Sequence, residues 1–314
     1  MSEQKKPVIG IPRGMLYYRY GCAWERFFRE LGVSTVLSPE SSRRLLETGT
    51  ALAPDESCLT LKMFLGHVQT LPGKCDRIFI PRYSSFSANE VFCTRFEAMY
   101  DLCRNLFRKN EGQFITCNID AACGSNEEKA FESLGVSLGF SAKKSRNAWK
   151  TATEALAEQR AKVQKEQEEN RKKTGTKILV AGHSYVLEDS YLGKPILEWL
   201  KKNETTVLRA DCMDLKASLK AGSKFSPTCR WLMSEEIIGG TVIGKDYADG
   251  IMLVSAFPCG PDAMTNELLI RRIRGIPILT LILDAQSGTA GVETRMESFL
   301  DIIHFQQEKA GGQA

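Results

Sequence analysis

Short apolar runs alternate with amphipathic stretches along the whole chain. PVIGIP (7–12), STVLSP (34–39), CDRIFIPR (75–82) and QFITCNI (113–119) carry the near-continuous apolar character of strands buried on both faces. Between them, MLYYRYGCAWERFFRELG (15–32), ESCLTLKMFLGHVQTL (56–71) and CTRFEAMYDLCRNLFRK (93–109) place apolar residues three and four apart, the helical spacing. The second half repeats the alternation: KILVAGH (177–183), TTVLRAD (205–211), GIMLVSAF (250–257) and PILTLILD (277–284) read as strands. Helices are predicted over 194–203, 263–274 and 291–306, with a polar helical region to about residue 240. Strand-helix units of this kind predict an α/β fold with two open parallel sheets.

Between the halves the pattern lapses. From Ala142 to Lys177 the chain is rich in Ala, Glu, Gln, Lys and Arg, all good helix formers, and the stretch ends at Thr174-Gly175. Mixed charge and few apolar positions predict a long, solvated helix. The expected organisation is an N-terminal α/β domain over 1–141, a helical connector over 142–176 and a C-terminal α/β domain over 177–314, since 314 residues exceed what one compact core usually takes.

The net charge of +4 is small, and basic residues are interspersed with acidic ones, so neither a nucleic-acid stripe nor a membrane-surface patch is indicated. MSEQKKPVIGIPRG is interrupted by Gly10 and Pro12 and reads as neither a signal peptide nor an anchor. A cytoplasmic location is expected. In a reducing compartment, ten cysteines suggest metal ligation, redox work or simple burial more than a disulfide framework.

Familiar catalytic signatures are missing: no GxxxxGK[ST], no GxGxxG after the first strand, no HExxH and no CxxC. The cysteines are therefore sorted by setting. Cys22, Cys75, Cys103 and Cys117 fall within or at the start of predicted elements and read as small hydrophobes, while Cys123, Cys212 and Cys229 fall in loops. Three others differ. Cys58 in DESCLTLK and Cys93 after the polar loop SSFSANEVF each begin a helix, and Cys259 in FPCGPD follows a strand. At element ends backbone N–H groups stabilise a thiolate, and three thiolates with one open position suit an iron-sulfur cluster that meets a substrate.

GIPRGMLYYRYGCAWERFFRELGVSTVLSPESS, DESCLTLKMFLGHVQTL, DRIFIPR, GHSYVLEDSYLGKPILEWL, DGIMLVSAFPCGPDA and GTAGVETRMESFLDII span nearly the whole chain in order. Together they resemble the family of 2-hydroxyacyl-CoA dehydratases and their activators, most closely its acyl-CoA dehydratase activase-related branch; double-cubane cluster proteins are further relatives. The resemblance implies two flavodoxin- or Rossmann-like domains and a cluster of 4Fe-4S or double-cubane type held by Cys58, Cys93 and Cys259. It also implies an ATP-hydrolysing activator as partner, a homo- or heterodimer, and low-potential electron transfer or reductive chemistry on a small or CoA-linked substrate. A non-catalytic scaffold or electron-transfer subunit is the alternative. Two departures stand out. Thr94 follows Cys93 where the family usually has proline, and Gln286 in DAQSG stands where an acid is expected, leaving Asp284 alone.

Histidines and arginines supply the remaining candidates. His67 would serve a cluster sulfur or a core contact; His183, after a strand, would be a site residue or a satisfied loop histidine, with Tyr185 and Asp189 as possible orienting groups. Arg295 would pair with Glu297 or hold an anion near Thr294, and Arg13 after the first strand invites the same two readings.

Overall fold

A computed structural model of the chain describes residues 6–285 and 289–311. Contacts divide it into two compact units. The first comprises the chain to Lys162 with two later segments, Asp189–Tyr191 and Arg230–Leu232; the second comprises Val163–Glu188, Leu192–Cys229 and the chain from Met233.

The strands of the first unit are β1 (Ile9–Ile11), β2 (Thr35–Leu37), β3 (Arg77–Phe79), β4 (Arg82–Ser87), β5 (Glu90–Val91), β6 (Phe114–Ile115) and β7 (Asn118–Asp120). Its helices are α1 (Tyr17–Leu31), α2 (Arg43–Leu52), α3 (Leu59–Gln69), α4 (Thr94–Leu106) and α5 (Glu127–Ser137), with the start of α6 (Ala142–Lys172). Four strands form an all-parallel sheet in the order β2-β1-β3-β6. Helix α1 buries Tyr20, Ala23, Trp24, Phe27, Phe28 and Leu31, and it ends at Gly32, whose left-handed φ of 72° lets its N–H reach Phe28 O and Arg29 O. Ser42, Asn126 and Asp214 cap later helices with side-chain oxygens.

In the second unit, β8 (Lys177–Ala181), β9 (Thr206–Arg209), β10 (Gly250–Ala256) and β11 (Ile278–Leu283) form another all-parallel sheet, ordered β11-β10-β8-β9. Around them run α7 (Ser184–Leu187), α8 (Lys194–Lys202), α9 (Leu215–Phe225), α10 (Leu232–Gly244), α11 (Gly260–Arg272) and α12 (Thr289–Gly311). All seven residues of β10 are buried, as a central parallel strand requires. The fold is mixed α/β, and among the described residues no helix is long and apolar enough to cross a membrane.

Two expectations are corrected. The polar stretch before Cys93 is not a loop: β4 and β5 pair antiparallel, β4 also pairs with β7, and β5 is extended by a bridge from Val91 to Trp231. Nor is α6 simply solvated. Ala148, Trp149, Ala152 and Leu156 are buried in the first unit, with the Trp149 ring stacked on Phe131 at 3.6 Å between centroids. In the second unit Gln167 accepts the Arg209 N–H at 2.9 Å.

In each parallel sheet the chain first adds a strand on one side of its starting strand and then crosses to the other side. The switch points lie between β1 and β3 and between β8 and β10. Crevices at the carboxyl ends of such strands are where open α/β sheets bind ligands.

Candidate functional site

Three cysteines occupy one kind of position. Cys58 is the N-cap of α3, Cys93 of α4 and Cys259 of α11, and each is half-buried. Among the described residues, none of the three thiols forms a side-chain capping bond to the first turn of its helix, whose N–H groups lie next to it in the chain. Cys58 Sγ lies 3.4 Å from Thr60 Oγ1. Next to it, the buried Ser57 hydroxyl has no hydrogen-bond partner among the described residues.

The other thiols fall into different classes. Burial pushes Cys103 and Cys117 well above the ordinary thiol range and keeps them neutral. Burial also raises Cys22, Cys75 and Cys212, with Asp211 adding to the effect on Cys212. Cys75 is packed beneath Gly10, where any Cβ would overlap its sulfur. Cys123 is exposed, and its hydrogen bond to Asp120 raises it. Cys229 is half-buried. Among the described residues no group of three or more His, Cys, Asp and Glu side chains is disposed to hold a metal ion.

In the first unit His67 is fully buried, and both ring nitrogens are engaged: Nδ1 lies 2.9 Å from Ser38 Oγ and Nε2 lies 2.9 Å from Ser41 Oγ. The protons can be assigned. Ser41 gives its only hydroxyl proton to Asp189 Oδ2 at 2.6 Å, so its oxygen accepts from His67 Nε2–H. Nδ1 then accepts from Ser38, whose oxygen accepts the Arg13 N–H at 2.7 Å. Burial and the Arg13 charge lower the imidazole to about 4, in keeping with this neutral tautomer. His67 is thus a core contact, with no nitrogen left for a cluster sulfur.

Asp189 also accepts from Tyr18 OH at 3.1 Å and from the Tyr191 N–H at 2.9 Å. It orients Ser41 and Tyr18. The Arg13 guanidinium pairs with Glu40.

In the second unit His183 follows β8 and Asp262 lies in the first turn of α11. Their Nε2 and Oδ1 are 2.8 Å apart with both side chains buried, and Tyr185 stacks on the imidazole at 4.9 Å between centroids. Burial opposes a charged imidazole, but Asp262, Asp211 and Glu236 outweigh it and raise the pKa, so Nε2–H donates to Asp262. Beside this pair, the half-buried Arg209 forks onto Asp211 through Nε and Nη2 and reaches Glu188 through Nη1 at 2.9 Å. Arg295 donates to Thr280 O at 2.6 Å. Asp284, just past β11, is exposed, and Gln286 lies outside the described residues.

Two features escaped the sequence reading. Asp262 stands three residues after Cys259 but meets a histidine 79 positions away. The signal for the His67 network was the pair of serines after β2, which in isolation look like turn residues.

With this geometry in place, the sequence can be set against known families. The model of the CoA enzyme activase uncharacterised domain (DUF2229) matches residues 8–213. The chain belongs to that family. The match runs from the start of β1 through Cys58, Cys93 and the His183 turn to the end of β9, and membership relates the chain to the activators of acyl-CoA dehydratases. Cys259 and Asp262 lie beyond the matched residues. A search of the curated proteins found no match.

Proposed function

We propose that the chain is an iron-sulfur component of an acyl-CoA dehydratase system, with Cys58, Cys93 and Cys259 as thiolate ligands. The observation that supports this most is their shared setting: three half-buried thiols, each at the N-cap of a helix of 11 to 13 residues. Such a donor set suits iron, which takes deprotonated sulfur. The orphaned Ser57 hydroxyl beside Cys58 fits the same reading, because an electron-rich sulfur group there would accept its proton. When bound, a cluster of 4Fe-4S or double-cubane type supplies a one-electron carrier of low potential. The chain's own part is to hold the thiols at helix starts and to keep Cys103 and Cys117 neutral in the core. An ATP-hydrolysing activator is the partner that would deliver the electron, to a small or CoA-linked acyl substrate.

Anaerobic purification and reconstitution, followed by iron and acid-labile sulfide analysis, test the proposal. About four irons per chain for a single cubane, or about eight for a double cubane, with loss in each of the Cys58→Ser, Cys93→Ser and Cys259→Ser variants, is the expected result. A chain that takes up no iron overturns it.

The family description favours a second reading, because the matched domain is described as that of an activase and not of the dehydratase itself. In that reading the chain is an electron-transfer or scaffold component without turnover of its own. Turnover by the isolated chain would exclude it; activity only in the assembled complex would support it.

A further inference from the structure

Gly182, His183, Asp262 and Cys259 lie about the point where the strand order of the second unit reverses. The chain leaves β8 at Gly182, so close to β10 that a Cβ there would stand 2.6 Å from Val254 O. Only glycine fits that approach, which delivers His183 to the end of β10. From there Nε2–H donates to Asp262 Oδ1 at 2.8 Å. Asp262 belongs to the turn that Cys259 caps, and the Ala263 N–H closes that turn on Cys259 O at 3.0 Å. The ion pair therefore fastens the start of α11 to the neighbouring strand.

Stability alone is a poor reason for such a pair. Burying two charges costs about as much as their attraction returns, and apolar replacements are often neutral, so a buried pair is better explained by the geometry it enforces. Asp211 after β9 and Glu236 on α10 face the imidazole with Asp262, and together they keep its proton in place for the bond.

We propose that His183 is a positioning residue for Cys259, fixing through Asp262 where the helix start presents the thiol. The inference rests on the reading of Cys259 as a cluster ligand, and it assigns the control of that ligand to a residue on a different strand.

The test uses the full chain, prepared anaerobically, as wild type and as His183→Ala, His183→Gln and Asp262→Ala. In the iron-free protein, exchange of the Ala263 amide and alkylation of Cys259 by iodoacetamide report on the turn without any cluster. His183→Ala is expected to speed Ala263 exchange about tenfold or more and to change the Cys259 alkylation rate. His183→Gln, which keeps an N–H near the Nε2 position, should restore both. In the reconstituted protein the alanine variant should show a shifted electron paramagnetic resonance spectrum, and the glutamine variant the wild-type spectrum. A folded His183→Ala protein with unchanged exchange and alkylation overturns the proposal. If His183→Ala does not fold, Asp262→Ala, which removes the acceptor, decides by the same two readouts. A wild-type chain that takes up no iron overturns the cluster reading, while exchange and alkylation still decide whether His183 holds the turn.

Discussion

Ser41 donates a 2.6 Å hydrogen bond to Asp189, joining residues 148 positions apart in the chain. That bond orders the protons of the whole network, because it leaves Ser41 able only to accept from His67. Asp189→Ala removes the acceptor of Ser41, Tyr18 and the Tyr191 amide together. Stranding buried donors costs about 1–3 kcal/mol each, so a loss of at least about 2 kcal/mol is expected. Urea unfolding measures it; a variant as stable as the wild type would contradict the network.

His67 makes acid unfolding specific. Its folded value is about 4 against 6.5 in the unfolded chain, so between these values the unfolded state binds the extra proton. The contribution is complete above about pH 6.5 and is lost as pH falls through about 4, amounting to up to about 3 kcal/mol. His67→Gln should flatten this acid limb in denaturant titrations. A limb of the same slope in that variant would place the proton uptake elsewhere.

The second histidine works in the opposite direction. His183 is raised in the folded state by Asp262, Asp211 and Glu236 against the effect of burial. Its stabilisation is fully present below the unfolded value and is lost as pH rises through the folded one. Unfolding free energies measured upward from neutral pH should therefore decline in the wild type and decline less in His183→Gln. Equal slopes would refute the imidazolium-carboxylate pair.

Helix α3, which begins at Cys58, is held against α2 at two glycines. A Cβ on Gly49 would overlap Lys62 O, and one on Gly66 would overlap Leu45 O, so backbone meets backbone and no side chain can yield. Gly49→Ala and Gly66→Ala should each cost about 2 kcal/mol or more despite the better helix propensity of alanine. A rise in melting temperature in either variant would show that the helices can separate at little cost.

Thiol labelling separates the cysteine classes without any metal. In the native protein Cys103 and Cys117 should stay unmodified by iodoacetamide until the chain unfolds, because burial keeps them neutral and inaccessible. Cys123 is exposed and Cys58, Cys93, Cys229 and Cys259 are half-buried, so these five should react with the folded protein ahead of Cys22, Cys75 and Cys212, whose thiols burial raises. Peptide mapping after timed labelling checks the order; native-state modification of Cys117 would contradict it.

Much of the architecture was legible because period and burial are coupled. The run from Gly250 to Ala256 is apolar at nearly every position, and only a strand covered on both faces tolerates that. Cys58 and Cys93 were readable as helix starts because the helical spacing begins just after them. The β4–β5 pair was not, since SSFSANE is polar and its pairing depends on β7 and on the Trp231 segment. The packing of α6 was hidden for a related reason: Trp149 lies in a stretch of charged neighbours and becomes a core residue only where Phe131 meets it.

The sequence by itself determined the alternation of strands and helices, the parallel sheets, the helix-start setting of Cys58 and Cys93 and the strand-end setting of Cys259. These follow from local periodicity and from short-range turn chemistry. Tertiary structure alone decided the partners of the two buried histidines. Each hydrogen bond there depends on bringing distant segments within about 3 Å, and a buried imidazole takes its proton state from whichever groups surround it. Residue identity made His67 and His183 equal candidates; burial and Arg13 made one neutral, and Asp262 kept the proton on the other.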